Sequence, residues 1–152
     1  VPSSVPTETR SLARFRYALR KFLNAGDAGA RDLGLTPQQH QLLLGVAGFN
    51  GKGWASIGEL AEFLQLRHHS VVGLVDRVVA AGLVERRPNP ENRREVEVHL
   101  TPSGIETVRA LYPHHRRDLH ALRRILNLYI LEQEGKVVMR PKTRRGRGKA
   151  DA

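Results

Sequence analysis

Between Ser56 and Leu100 the chain passes through two short amphipathic segments, a glycine stop and two strand-like runs separated by turn formers. That order restricts the fold more than any other feature. Ser56 followed three residues later by Glu59 has the spacing of a capping box, and Ile57, Leu60, Ala61 and Leu64 form the buried stripe of the helix it opens. Leu66 and Arg67 make a turn. A second helix is predicted from about His68 to Ala81, stopped at Gly82, a residue suited to a left-handed C-terminal cap. Leu83 to Arg87 and Glu95 to Leu100 are strand candidates, the second alternating apolar and polar residues with period two. Pro88-Asn89-Pro90-Glu91-Asn92-Arg93-Arg94 joins them, so the pair reads as a hairpin.

Helix, turn, helix, hairpin is the element order of a winged helix-turn-helix, whose second helix enters the DNA major groove. The expected fold class is mainly α (α+β). At about 100° per residue, Val71, Leu74, Val75 and Val78 gather on one side of that helix, and His69, Ser70, Gly73, Asp76, Arg77 and Ala80 on the other. The apolar side packs and the polar side is free to read. Ser70, His68 and His69, with Arg67 and Ser56 close in sequence, are candidate contacts to base edges or phosphates. Gly73 lies near the middle of the outward face, where a missing side chain lets the backbone approach DNA, and Arg77 lies on the same face. A hairpin tip bearing Arg93 and Arg94 can place a guanidinium in the adjacent minor groove, while Arg86 and Arg87 at its base can hold phosphates.

The flanks are helical. Leu12, Phe15, Leu19, Phe22 and Leu23 recur at spacings of three and four, with Asn24 to Gly29 ending the segment. Thr36-Pro37-Gln38-Gln39 is a helix start with capping-box spacing, and Gly48, Gly51 and Gly53 break that helix before Trp54. Thr101-Pro102-Ser103-Gly104 opens a long C-terminal helix that carries apolar residues to Leu131 and that Pro113 is expected to break or kink. From Lys136 onward there are seven Lys or Arg against Asp151 alone, so this tail supplies +6 of the net charge of +10. The body is only mildly basic, and a polyanionic partner has to be argued from where its charges sit. The tail is read as disordered, either an arm that adds nonspecific phosphate attraction or a solubilising extension.

The stretches Ile57-Gly58-Glu59-Leu60-Ala61-Glu62-Phe63-Leu64, His69-Ser70-Val71-Val72-Gly73-Leu74-Val75-Asp76-Arg77, Ala81-Gly82-Leu83-Val84-Glu85-Arg86, Pro90-Glu91-Asn92-Arg93-Arg94 and Leu100-Thr101-Pro102-Ser103-Gly104 together closely resemble the MarR family of bacterial regulators. The resemblance spans roughly residues 10–134. It implies a two-fold symmetric homodimer, a pseudo-palindromic operator, usually repression, and often release by a small anionic or aromatic effector. The family arrangement divides the chain into an N-terminal arm (1–9), a MarR-like domain (10–134) and a basic tail (135–152). Within the domain, the winged lobe is about 54–101 and the dimerisation helices are 10–25 and 102–134. One departure stands at the wing tip, where the family's Asp-x-Arg is replaced by Asn92-Arg93-Arg94: asparagine accepts a hydrogen bond but offers no ion pair to brace Arg94.

Other chemistries find little support. The chain has no cysteine, which excludes disulfides, thiolate zinc sites and thiol redox switches. His68-His69 and His114-His115 are adjacent pairs, pointing about 100° apart in a helix, so no metal is expected. Gly48, Gly51 and Gly53 match no phosphate-loop spacing, and no nucleophile–base set stands out, so neither a cofactor nor an enzyme is expected. No apolar run approaches the roughly 18 residues that span a bilayer, and the expected location is the cytoplasm, without a membrane partner. An effector pocket implied by the family would lie between the dimerisation helices and the DNA lobe, a search region containing Phe15, Arg16, Leu19, His40, Leu43, Leu44, His114 and Arg117. The leading reading is a sequence-specific regulator that binds double-stranded DNA. The competing ones are a nonspecific architectural DNA-binding protein and a winged helix reused for protein docking.

Overall fold

The structure, a computed structural model, describes residues 6–133, with the side chains of Thr7, His114, His115, Arg117, Asp118, Ala121, Leu128, Glu132 and Gln133 outside the description. Its elements run α1 (Thr7–Asp32), α2 (Pro37–Gly48), β1 (Trp54–Ser56), α3 (Ile57–Leu64), α4 (His68–Ala80), β2 (Val84–Pro88), β3 (Val96–Leu100) and α5 (Pro102–Gln133). The three strands form one antiparallel sheet in the order β1-β3-β2.

Local sequence signals account for most boundaries. Both capping boxes form: the Gln39 N–H donates to Thr36 Oγ1 at 3.2 Å while the Thr36 N–H donates to Gln39 Oε1 at 2.9 Å, and Ser56 and Glu59 repeat the exchange at 3.2 and 2.9 Å. At Gly82, φ of 73° lets the Leu83 N–H reach back to the Val78 carbonyl (3.2 Å) and the Gly82 N–H to that of Val79 (2.8 Å), the paired bonds that close a helix through a left-handed residue. The turn between α3 and α4 is closed in the same way, but its left-handed residue is Gln65 (φ 53°), a position no glycine or asparagine marks.

Two expectations need correction, and one strand was not foreseen. The first helix does not end at Asn24–Gly29 but continues to Asp32, because Gly26, Gly29 and Ala30 are buried small residues and packing there outweighs their weak helix propensity. It also starts at Thr7, inside the expected arm. Pro113 does not break the C-terminal helix, which runs as one element from Pro102 to Gln133. Proline costs about 3 kcal/mol in a helix interior, and the packing of α5 along α1, including Phe15 stacked on Tyr129 at 5.4 Å, offsets it. Finally, Trp54 to Ser56 is a strand, pairing Trp54 with His99, Ala55 with Val98 and Ser56 with Glu97. The basic tail expected over 135–152 lies outside the described residues.

The core sits where α2, α3, α4 and the sheet converge. Leu42, Leu43, Val46, Ala55, Leu60, Val71, Val75, Val78 and Val98 are fully buried, and Leu111 of α5 joins them. The angular reading of α4 holds: all four of its predicted apolar residues are in this cluster. One side of α4 is thereby locked, which fixes the rotational setting of the other.

Candidate nucleic-acid interface

The free side of α4 carries His68, His69 and Ser70 in its first turn, then Asp76, Arg77 and Ala80, all exposed, with Gly73 half-buried. Arg67 occupies the cap position and makes no side-chain cap, so the opening N–H groups of α4 are left facing outward with the helix dipole behind them. An anion at this end meets partial positive charge and two imidazoles. Arg77 folds back along the helix: a Cβ added at Gly73 would meet Arg77 Nη1 at 3.7 Å, ordinary contact distance, and no other outside atom within 4 Å. The groove over Gly73 is therefore shallow and open, with a guanidinium at its edge.

The wing loop is tied by its own side chains. Asn89, only 8% exposed, accepts from the N–H groups of Glu91 (2.9 Å) and Asn92 (3.2 Å) through Oδ1 and donates from Nδ2 to Glu95 at 3.0 Å. Asn92 Oδ1 in turn accepts the Arg94 N–H at 3.2 Å. Asparagine thus braces Arg94 through its backbone, which answers the missing ion pair at the tip. The Arg93 and Arg94 side chains are exposed and make no hydrogen bond or ion pair among the described residues.

Several sequence-predicted residues sit differently from the expectation. Ser56 is 6% exposed and its hydroxyl is taken by the Glu59 N–H, so it is a helix cap held in β1, not a surface contact. Arg86 is engaged with Asp76 (2.7 Å) and Arg87 with Glu85, where Arg87 Nε donates at 2.8 Å. Both predicted phosphate clamps at the wing base are thus already paired within the chain. In the effector search region, His40 and Leu43 are fully buried, His40 Nδ1 lying 3.9 Å from Asp27, while Phe15 and Leu19 are half-buried and Arg16 exposed. Leu44 is half-buried, and the side chains of His114 and Arg117 lie outside the described residues. A cleft of about 380 Å³ does run along α1 and α5, lined by Arg14, Tyr17, Lys21, Phe22, Leu122 and Ile125 among others. It shares no residue with that region.

Sequence reasoning missed the cluster behind the wing. Glu97 and His99 pair at 2.7 Å on one face of β3, Trp54 stacks on His99 at 6.1 Å, and Lys52 lies 4.4 Å above the indole while also reaching Glu59 at 2.9 Å. Partial burial pushes the Glu59 carboxyl upward, but the Ser56 N–H, the Lys52 ammonium and Asn50 together pull it down to about 2. Alternation in β3 implied that Glu97 and His99 face solvent. Instead β1 pairs alongside β3 and brings Trp54 against His99 on that face, a pairing between segments about 40 residues apart that no local pattern announces.

Comparison with known proteins agrees with this geometry. Residues 33–95 match the MarR family profile. Multiple antibiotic resistance protein MarR of Salmonella typhimurium is 34% identical over 62 residues, which is 41% of this chain and 43% of that protein, so the match spans under half of the relative's length. HTH-type transcriptional repressor NicR of Pseudomonas putida is 27% identical over 143 aligned residues, covering 87% of this chain and 90% of that one. Among solved structures, a cysteine-to-serine mutant of MarR from E. coli complexed with operator DNA superposes with a TM-score of 0.61 at 24% identity, over 79% of this chain and 89% of that chain. The fold is similar to that of these solved proteins, and residues 33–95, which hold α2, α3, α4 and β2, carry the likeness to the MarR family.

Proposed function

We propose that this chain is a transcriptional regulator that binds a pseudo-palindromic operator as a homodimer and acts as a repressor. The observation that carries the reading is α4, with one side sealed into the core by Val71, Leu74, Val75 and Val78 and the other presenting His68, His69, Ser70, Gly73 and Arg77. In this reading that side enters the major groove, Arg67 and the open N-terminus of α4 meet a phosphate, and Arg93 and Arg94 reach the flanking minor groove. The residues 54–101 are the DNA-reading lobe and α1 with α5 the dimerisation region. Leu12, Tyr17 and Leu23 of α1 and Tyr112, Leu119, Leu126 and Ile130 of α5 are exposed, an apolar surface that a second copy covers. Repression is proposed from the likeness to the transcriptional repressor NicR. A small anionic effector suits the α1–α5 cleft, whose apolar floor is flanked by Arg14 and Lys21.

The test is selection of bound sequences from a random duplex pool with purified protein at near-physiological salt. An inverted repeat with half-site centres roughly 10 base pairs apart is the expected result. Binding without enrichment of any sequence replaces this reading with that of an architectural protein coating DNA through charge.

A further inference from the structure

Asp76 is the one acidic residue of α4, and it stands 58% exposed among the groups that the proposed function turns toward a polyanion. An unpartnered carboxylate there repels phosphate. Its partner is Arg86, whose Nη2 lies 2.7 Å from Asp76 Oδ1 and 3.5 Å from the Val72 carbonyl oxygen. Val72 and Asp76 are one turn apart on α4, and Arg86 belongs to β2, the strand that leads into the wing loop. A single guanidinium therefore ties two consecutive turns of the recognition helix to the root of the wing.

We propose that Asp76 is a positioning residue for DNA recognition: paired with Arg86, it sets the angle of the wing against α4, so that Arg93, Arg94 and the face of α4 engage one duplex together. This rests on the operator-binding reading above. The pair is too exposed to matter much for global stability, since ion pairs of this kind contributes about 0–1 kcal/mol. Its leverage is geometric. Two strand residues beyond Arg86, at Pro88, β2 has advanced about 7 Å, so a swing of about 10° at the root moves the strand end by about 1 Å and the loop beyond it further, more than the roughly 0.5 Å window of hydrogen-bond distances. That displacement is enough to unseat a minor-groove arginine while α4 stays in place. The assignment also gives Arg86 a role other than the phosphate contact its sequence position suggests.

Charge alone and the clamp predict opposite signs, which makes the test direct. Asp76→Ala, Arg86→Ala and the double variant are titrated by fluorescence anisotropy against the duplex the wild type selects and against an unrelated duplex, with amide hydrogen exchange measured on each free protein. Asp76→Ala is expected to lose about tenfold on the selected duplex and to bind the unrelated one as tightly as wild type or tighter. Arg86→Ala is expected to match it on the selected duplex, the double variant to lose no more than either single, and amides of residues 89–95 to exchange several-fold faster in all three. Equal or tighter binding of the selected duplex by Asp76→Ala overturns the proposal. So does a double variant whose loss is the product of the singles, the pattern expected if Asp76 reads a cytosine amino group and Arg86 a phosphate independently. If the wild type selects no duplex, the operator reading fails by itself and the exchange data decide the clamp: unchanged exchange over 89–95 overturns it.

Discussion

Replacing Gly73 by alanine separates what α4 needs to fold from what the proposed DNA binding needs of it. In a helix interior alanine is favoured over glycine by about 1 kcal/mol, from lower backbone entropy in the unfolded chain. Nothing in the folded chain offsets that gain, because the new Cβ meets only Arg77 Nη1, at 3.7 Å, an ordinary van der Waals distance. For a chain of this size the thermal midpoint should rise by about 2–4 °C. DNA binding should move the other way. If the α4 backbone lies against the duplex at Gly73, a methyl group there holds the helix off, and the loss of even one two-point base contact costs about 1–3 kcal/mol, roughly tenfold or more in affinity. Differential scanning calorimetry and anisotropy titration on the selected operator measure the two sides independently. A higher midpoint with unchanged affinity refutes the close-approach argument, and a lower midpoint refutes the claim that the space above Gly73 is open.

Arg94→Ala should weaken operator binding by about tenfold while leaving the urea midpoint within error, as its side chain has no partner among the described residues; a matching loss of stability would mean that the wing, not the contact, was damaged. Gly104→Ala should destabilise by about 3 kcal/mol in urea denaturation, since its Cβ would lie 2.0 Å from the Leu83 carbonyl oxygen, backbone that cannot turn aside; a stability change near zero contradicts the close packing of α5 on the start of β2. Glu59 ionises at about 2 in the folded chain against 4.5 for an ordinary carboxyl, so its contribution is fully present above about pH 4.5 and is lost as pH falls toward 2. Stability curves of wild type and Glu59→Gln should therefore converge on acidification through that window, and curves that stay parallel would show that Glu59 is not the titrating group.

How much of this was legible beforehand depends on the range of the interaction. Capping boxes at Thr36 and Ser56, the stop at Gly82 and the buried side of α4 are written in residues three or four positions apart, the hairpin in one contiguous run of turn formers between two strands, and each appears as read. The continuation of α1 past Gly26 and of α5 through Pro113 depends on what those helices pack against, which outweighs propensity. The same holds for charges. Arg93 and Arg94 could be placed because a loop tip has few neighbours, whereas Arg86 and Arg87 looked equally free until the fold brought Asp76 and Glu85 to them. Ser56 fits both a contact and a cap in one dimension, and only its burial in β1 decides between them.

The position of Trp54 gives the protein an optical gauge of its own. It is the sole tryptophan of the chain, held between the Lys52 ammonium and the His99 ring in the strand hydrogen-bonded to β3. Indole emission responds to the charge and separation of such neighbours, so without any label it records the seating of the hairpin's inner strand. An intensity change on adding duplex reports movement at that root, and an unchanged spectrum alongside full binding reports a wing that was set before DNA arrived.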